Sequence, residues 1–254
     1  MTLSSRRDSR LRWAAARSRR PGAHLLAVAA ALGLGVPNAA RAGTQELEWT
    51  SYVGVWVPTT DVARWRVANS FGDTVTVRSR HITDFATGGR LALWLSPRWG
   101  LEVSAFYSAG NLNRTADGSV FSLAPLGESD ADLLAATARA LLRVGAVDGP
   151  AQVHVAGGLG VIDHDGNAYR NVEGTTDLLL VLDAGLTLRL GRRLGLRFDL
   201  EDHLSWARQS PETSDRIRQG NSTSPTEPDA DPQTRVQNDL VFSLGLAFPL
   251  TGGR

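Results

Sequence analysis

The sequence predicts an all-β fold, an eight-stranded antiparallel up-and-down transmembrane β-barrel. Three observations lead there. Apolar residues recur at every second position over eight separate segments, the period of a strand with one apolar face. The connections between those segments alternate between long and short. After residue 42 no uninterrupted apolar stretch approaches the roughly 20 residues that a membrane-crossing helix needs, so any crossing falls to strands.

The first 42 residues read as an address rather than a structural element. Seven arginines from Arg6 to Arg20 precede the apolar run Ala23–Val36, which closes on Pro37 and the small-x-small pattern Ala40-Arg41-Ala42. A run of that length is short for a bilayer span and suits the core of a signal peptide. Cleavage is expected after Ala42, with Ala40 and Ala42 as the recognised small residues, leaving 43–254 as the barrel domain.

The strands follow in order. Segment 46–57 sets Leu47, Trp49, Val53, Val55 and Val57 against Glu46, Glu48, Thr50, Tyr52 and Trp56. Segments 81–95 and 99–108 come next. Segment 132–145 is rich in good helix formers. Its parity argues for a strand, because Leu134, Ala136, Ala138, Ala140 and Leu142 oppose Thr137, Arg139 and Arg143. After 151–162, segment 177–190 places five leucines from Leu178 to Leu188 opposite Asp177, Asp183, Thr187 and Arg189. Segment 194–206 is the clearest case: Leu194, Leu196, Phe198, Leu200, Leu204 and Trp206 face away from Arg197, Asp199, Glu201, His203 and Ser205. The last, 239–248, alternates Leu240, Phe242, Leu244, Leu246 and Phe248 with Asp239, Ser243 and Gly245.

The short connections are Ser96–Arg98, Ala146–Pro150 and Gly191–Arg193; the long ones are about 58–80, 109–131, 163–176 and 207–238. Consecutive connections of an up-and-down barrel lie at opposite rims, so all the short turns share one rim and all the long loops the other. Outer-membrane barrels show this asymmetry, with short periplasmic turns and long outer loops. Together with the dyad-repeat strands and the closing segment Val241–Phe248, it makes residues 46–250 resemble the small OmpA/OmpX-type outer-membrane barrels. The resemblance implies a cleaved signal peptide, residence in a Gram-negative-type outer membrane, contact with its lipid, and insertion by the outer-membrane assembly machinery. It differs at the end, where Pro249–Arg254 continue past the final aromatic.

Charge and composition narrow the function further. Of 27 basic and 26 acidic residues, 8 and 1 lie in residues 1–42, so the remainder carries 19 and 25, a net −6. That balance argues against nucleic acid as a partner, because a phosphate backbone selects a basic face. The chain has no cysteine, which excludes disulfides and thiolate chemistry. No cofactor is expected.

The inward face carries small residues (Ala92, Ala156, Gly158, Gly160, Gly185, Ala247) and charges of both signs. Counting depth from the strand ends assigns a lumen network to Glu48, Arg90, Glu102, Arg143, Arg189, Arg197 and Asp199. Charges in so narrow a space must be paired or hydrated. A plugged lumen, with a structural or surface-interaction role for the four long loops, is the expected function. A small porin-like pore is the alternative, and a soluble lipocalin-like periplasmic barrel, with its leucines turned inward, is another. Glu201, His203 and Ser205 share one face and suggest a lipid hydrolase. Yet neighbours on one face of a strand stand roughly 6–7 Å apart, beyond the reach of Ser–His catalysis, and no enzyme is expected. Asp163-His164-Asp165-Gly166-Asn167 resembles part of a calcium loop with its glycine misplaced, and reads as a tight polar turn.

Overall fold

A computed structural model describes residues 46–68, 74–117, 125–169, 175–207 and 235–251. The signal segment and its cleavage residues Ala40 and Ala42 lie outside the described residues, as does most of the 207–238 connection. Ten strands appear among the described residues: β1 (Glu46–Pro58), β2 (Ala63–Ala68), β3 (Thr74–His81), β4 (Asp84–Trp94), β5 (Trp99–Asp117), β6 (Pro125–Val144), β7 (Ala151–Asp165), β8 (Thr176–Arg189), β9 (Gly195–Ala207) and β10 (Arg235–Pro249). Eight of them close a barrel in the order β4-β1-β10-β9-β8-β7-β6-β5, with β5 pairing back to β4 and every ladder antiparallel.

Two stretches expected as loops are strands. β5 runs 19 residues and β6 runs 20, so most of 109–131 is a paired ladder rising past the rest of the barrel. Within 58–80, β2 and β3 form a hairpin whose second strand pairs with the upper half of β5 through Thr76–His81. Above the barrel the order is therefore β2-β3-β5-β6. The helix-forming composition of β6 is overridden by pairing on both sides, an instance of tertiary context beating propensity.

The three tight turns sit at one rim. In the first, the Leu95 and Ser96 amides donate to the Trp99 carbonyl, while Ser96 Oγ accepts from the amides of Arg98 and Trp99. The second begins at Gly145, whose φ of 84° lies in the left-handed region that glycine enters without a Cβ clash.

The alternation resolves into two faces of opposite chemistry. Leu178, Leu182, Leu200, Phe242, Leu244 and Leu246 point outward, with Leu182 50 % exposed. Arg90, Glu102, Arg139, Arg197, Asp199 and Glu201 point inward and are buried, Arg90 completely. The leucine-rich faces of β8, β9 and β10 are on the outside, so the inverted, lipocalin-like arrangement is not the one adopted. Not all the interior is polar. Tyr52, Phe106, Leu133, Ile162, Leu179, Val181 and Val241 form an apolar layer within the lumen.

Candidate functional site

The centre of the lumen is an ionic girdle of three guanidinium groups and four carboxylates. Arg90 binds Asp199 and Glu201 and lies 4.0 Å from Glu102. Arg139 reaches Glu102 at 2.8 Å, Glu201 at 2.9 Å and Asp183 at 3.4 Å. Arg197 binds Glu102, meets Asp199 at 2.9 Å and stands 3.7 Å from Asp183. Each arginine thus touches three of the four carboxylates, and Glu102 touches all three arginines. His154 Nε2 lies 2.9 Å from Asp199, and His203 Nε2 lies 3.0 Å from Glu201.

Every barrel strand contributes to this girdle. β1 supplies Tyr52, whose ring centre is 4.0 Å from the Arg90 guanidinium carbon, and β10 supplies Ser243, whose Oγ accepts from Arg90 Nη2 at 2.9 Å. The sequence makes room for the long side chains by placing small residues across the ladder: Ala92 opposite Glu102, Gly158 opposite Arg139, Ala156 opposite Asp183, Gly185 opposite Asp199, and Gly245 opposite Arg197. An isolated charge buried here would cost several kcal/mol, and contact with three carboxylates is what offsets that cost for each girdle arginine.

At the short-turn end a cavity of ≈ 500 Å³ opens below the girdle, lined by Glu46, Glu48, Trp94, Arg143, Gln152 and Arg189 among others. Arg143 lies 3.6 Å from Glu46 and its guanidinium carbon stands 3.5 Å from the centre of the Trp94 ring. The structure therefore divides the seven residues assigned from sequence. Arg90, Glu102, Arg197 and Asp199 meet in the girdle. Arg143 and Glu48 line the cavity below it, and Arg189 is exposed at the rim. Depth counted from strand ends ignores strand tilt, which is why these last three were grouped with the others. Sequence parity puts Arg139, Asp183 and Glu201 on the inward face but not at this depth. The signal for them lay in the register, since Glu102 faces Arg139 and Asp183 faces Glu201 directly across their ladders.

At the long-loop end a cluster of rings gathers. Trp56 and His81 meet edge to face with centroids 5.0 Å apart, and His81 stacks on His164 at 6.0 Å and 30°. The turn after β7 folds back through Gly166, at φ 101°, and hydrogen bonds from the Ala168 and Tyr169 amides to the Asp130 and Gly166 carbonyls. This lays Tyr169 over both histidines, its Oη 2.6 Å from His81 Nε2. Burial, reinforced by His164 beside it, pushes the His81 imidazole down to about 3. Burial raises the Tyr169 phenol well above its ordinary value, helped by Asp239 and Asp177.

Two sequence motifs do not assemble into sites. His203 bonds Glu201, whereas Ser205 Oγ has no hydrogen-bond partner among the described residues, so the Ser–His contact that nucleophilic catalysis requires is not formed. Asp163 accepts from Thr175 and Thr176, Asp165 caps the Gly166 amide, and Asn167 donates to Asp130, which spends these three side chains on holding a turn. His154, Asp183 and Asp199 come close enough to surround an ion, but Arg197 and Arg139 already occupy those carboxylates.

No family model matches the sequence, and no curated protein matches it. Among solved structures, the chain is similar to Neisserial surface protein A, with 9 % identity over 80 % of this chain and 95 % of that one, at a TM-score of 0.44. It is also similar to the outer membrane protein OprG from Pseudomonas aeruginosa, with 13 % identity over 82 % and 96 % at 0.46. A third is Ail, the attachment invasion locus protein of Yersinia pestis, solved in complex with the heparin analogue sucrose octasulfate, with 11 % identity over 82 % and 100 % at 0.35.

Proposed function

We propose that this chain is an outer-membrane β-barrel with a closed, polar lumen, serving a structural or surface-interaction role through its long-loop end. The distribution of charge and leucine carries this reading. A belt of exposed leucine and phenylalanine surrounds an interior of buried ion pairs, the inverse of a soluble protein and the arrangement a bilayer selects. A strand crosses the membrane in about 9–11 tilted residues, so the 19 and 20 residues of β5 and β6 carry their upper ends into the aqueous phase. The short turns then face the periplasm, and the ring cluster and the β2–β3 hairpin face outward. An eight-stranded interior is just wide enough for its own side chains, and here the girdle and the apolar layer above it occupy that space. Cell fractionation with electrophoresis of boiled and unboiled protein tests the reading: outer-membrane recovery and a heat-dependent shift in migration are expected. Recovery in the soluble periplasmic fraction would refute it.

A small pore is the second reading. It is favoured by the ≈ 500 Å³ cavity at the short-turn end, which would serve as its vestibule. It requires the girdle to part, and the conductance measurement described below separates the two.

A further inference from the structure

We propose that the outward faces of β8, β9, β10 and β1 form an interface at which two copies of this chain associate side by side in the membrane, joined by Asp202 and Asn238. The inference rests on the outer-membrane reading and adds a partner to it. Asp202 is half-buried on the outward face of β9, in a run that otherwise reads Leu196, Phe198, Leu200, Leu204 and Trp206. Its cross-strand partners are Leu182 on β8 and Leu240 on β10, so leucine flanks the carboxylate on both sides. A charged side chain on the lipid face is costly, and ionisable residues at membrane depth are found paired, or turned toward protein or water.

Asn238 on β10 donates from Nδ2 to Asp202 Oδ1 at 2.7 Å. Thr59 orients that amide, its hydroxyl donating to Asn238 Oδ1 at 2.9 Å. The pair is left with one carboxylate oxygen of Asp202 and one N–H of Asn238 that have no protein partner among the described residues. An acceptor and a donor side by side are self-complementary. A twofold axis beside the pair would bring the second copy's Asn238 to the first copy's Asp202, and the reverse, closing two further hydrogen bonds. Isologous contacts have this reciprocal form, and polar side chains join membrane-spanning segments in the same way, where acyl chains offer no donor. Toward the short turns, the same four strands carry an open apolar hollow of ≈ 730 Å³, lined by Val55, Ala184, Phe198, Leu200, Phe242 and Leu244 among others. The outer wall of a cylinder is convex, so this hollow gives a second copy room to pack beneath the polar pair.

The chain has no cysteine, so single cysteines report the interface without background. Leu240→Cys, beside the pair, and Leu101→Cys, on β5 at the opposite side of the barrel, are compared in full-length protein refolded into phospholipid vesicles and treated with an oxidant. Leu240→Cys should give a disulfide-linked dimer and Leu101→Cys should not. Energy transfer between donor- and acceptor-labelled Leu101→Cys copies should show association, and adding Asp202→Leu should weaken it at least about fivefold, the effect of losing two hydrogen bonds between membrane segments. Equal cross-linking at both positions would overturn the proposal, as would association of folded Asp202→Leu that matches the parent. No cross-link at 240 and no transfer would mean that lipid alone covers this face, which also overturns it. If Asp202→Leu fails to fold, the two cysteine variants, which keep Asp202 and Asn238, decide. Every sample is checked for its heat-dependent shift in migration. Absence of that shift in the wild type counts against the membrane barrel itself, whereas a shifted but monomeric wild type counts against the dimer alone.

Discussion

Glu102 on β5 and Arg139 on β6 are direct cross-strand partners, and Arg139 Nη2 lies 2.8 Å from Glu102 Oε1 at the centre of the lumen. Because Glu102 also meets Arg197 and Arg90, it is the one carboxylate shared by all three girdle arginines. Glu102→Gln should remove the one anion that all three arginines share. Removing one partner of a buried ion pair typically costs about 3–5 kcal/mol. Urea unfolding in lipid vesicles should show a clear loss of stability, and Glu102→Gln combined with Arg139→Met should recover part of it. Equal stability of the single variant and the wild type would show that the girdle contributes nothing to the fold.

The outward and inward faces can be separated at adjacent positions. Leu182 is outward and half exposed, whereas Asp183 is buried in the girdle. Arginine at Leu182 should destabilise the membrane-folded state by about 2–4 kcal/mol, the range for a cation on the lipid face at mid-depth. Spin labels at 182 and 186 should report lipid. Water at both would place the leucines inside and invert the barrel.

Gly185 is a packing requirement. A Cβ at this position would stand 2.3 Å from His154 Cε1 and 2.4 Å from Asp199 Oδ1, so Gly185→Ala must displace that pair. Overpacking of this kind costs about 1–3 kcal/mol. Adding His154→Ala should relieve part of the loss, which a double-mutant cycle in unfolding experiments measures directly. Purely additive effects would mean that the alanine acts elsewhere.

Conductance decides between a closed and an open lumen. The wild type in planar bilayers should show negligible or flickering current, and Arg197→Ala should lower stability by freeing Glu102 and Asp199. A steady wild-type channel, with Arg197→Ala altering ion selectivity and leaving stability unchanged, would make this chain a pore.

Processing provides an independent check on export. N-terminal sequencing of protein recovered from membranes should find Gly43 at or near the start. A mature chain retaining residues before Pro37 would exclude cleavage at Ala42.

The eight barrel strands are legible because each has one predominantly apolar face, and a period of two survives any loop length. β8 shows the limit of that signal. Its run Leu178-Leu179-Leu180-Val181-Leu182 is apolar on both faces, and Leu179 and Val181 prove to belong to the layer inside the lumen. The upper halves of β5 and β6 escaped notice for the opposite reason. Asn111, Asn113, Ser129 and Asp130 alternate with nothing consistently apolar, so the period-two signal is missing there. The girdle was half legible: residue type and parity identified inward charges, but which of them meet depends on strand tilt and stagger. The ring cluster was not legible at all. Its members lie at positions 56, 81, 164 and 169, and only barrel closure and the folded-back turn bring them together.

A cylinder embedded in a sheet of lipid looks much the same from every side, and its rotation about the membrane normal would ordinarily be of no consequence. The raised β2-β3-β5-β6 sheet removes that equivalence. It stands on one side of the circumference and, among the described residues, ends in β2, which pairs only with β3. The molecule therefore has a front and a back. Among the described residues, a neighbour arriving at the front would meet the edge of β2, a kind of surface that sheet proteins usually shield because it templates further pairing. In the proposed membrane setting, heading within the plane becomes a property of this barrel, and which way it faces decides what its neighbours can touch.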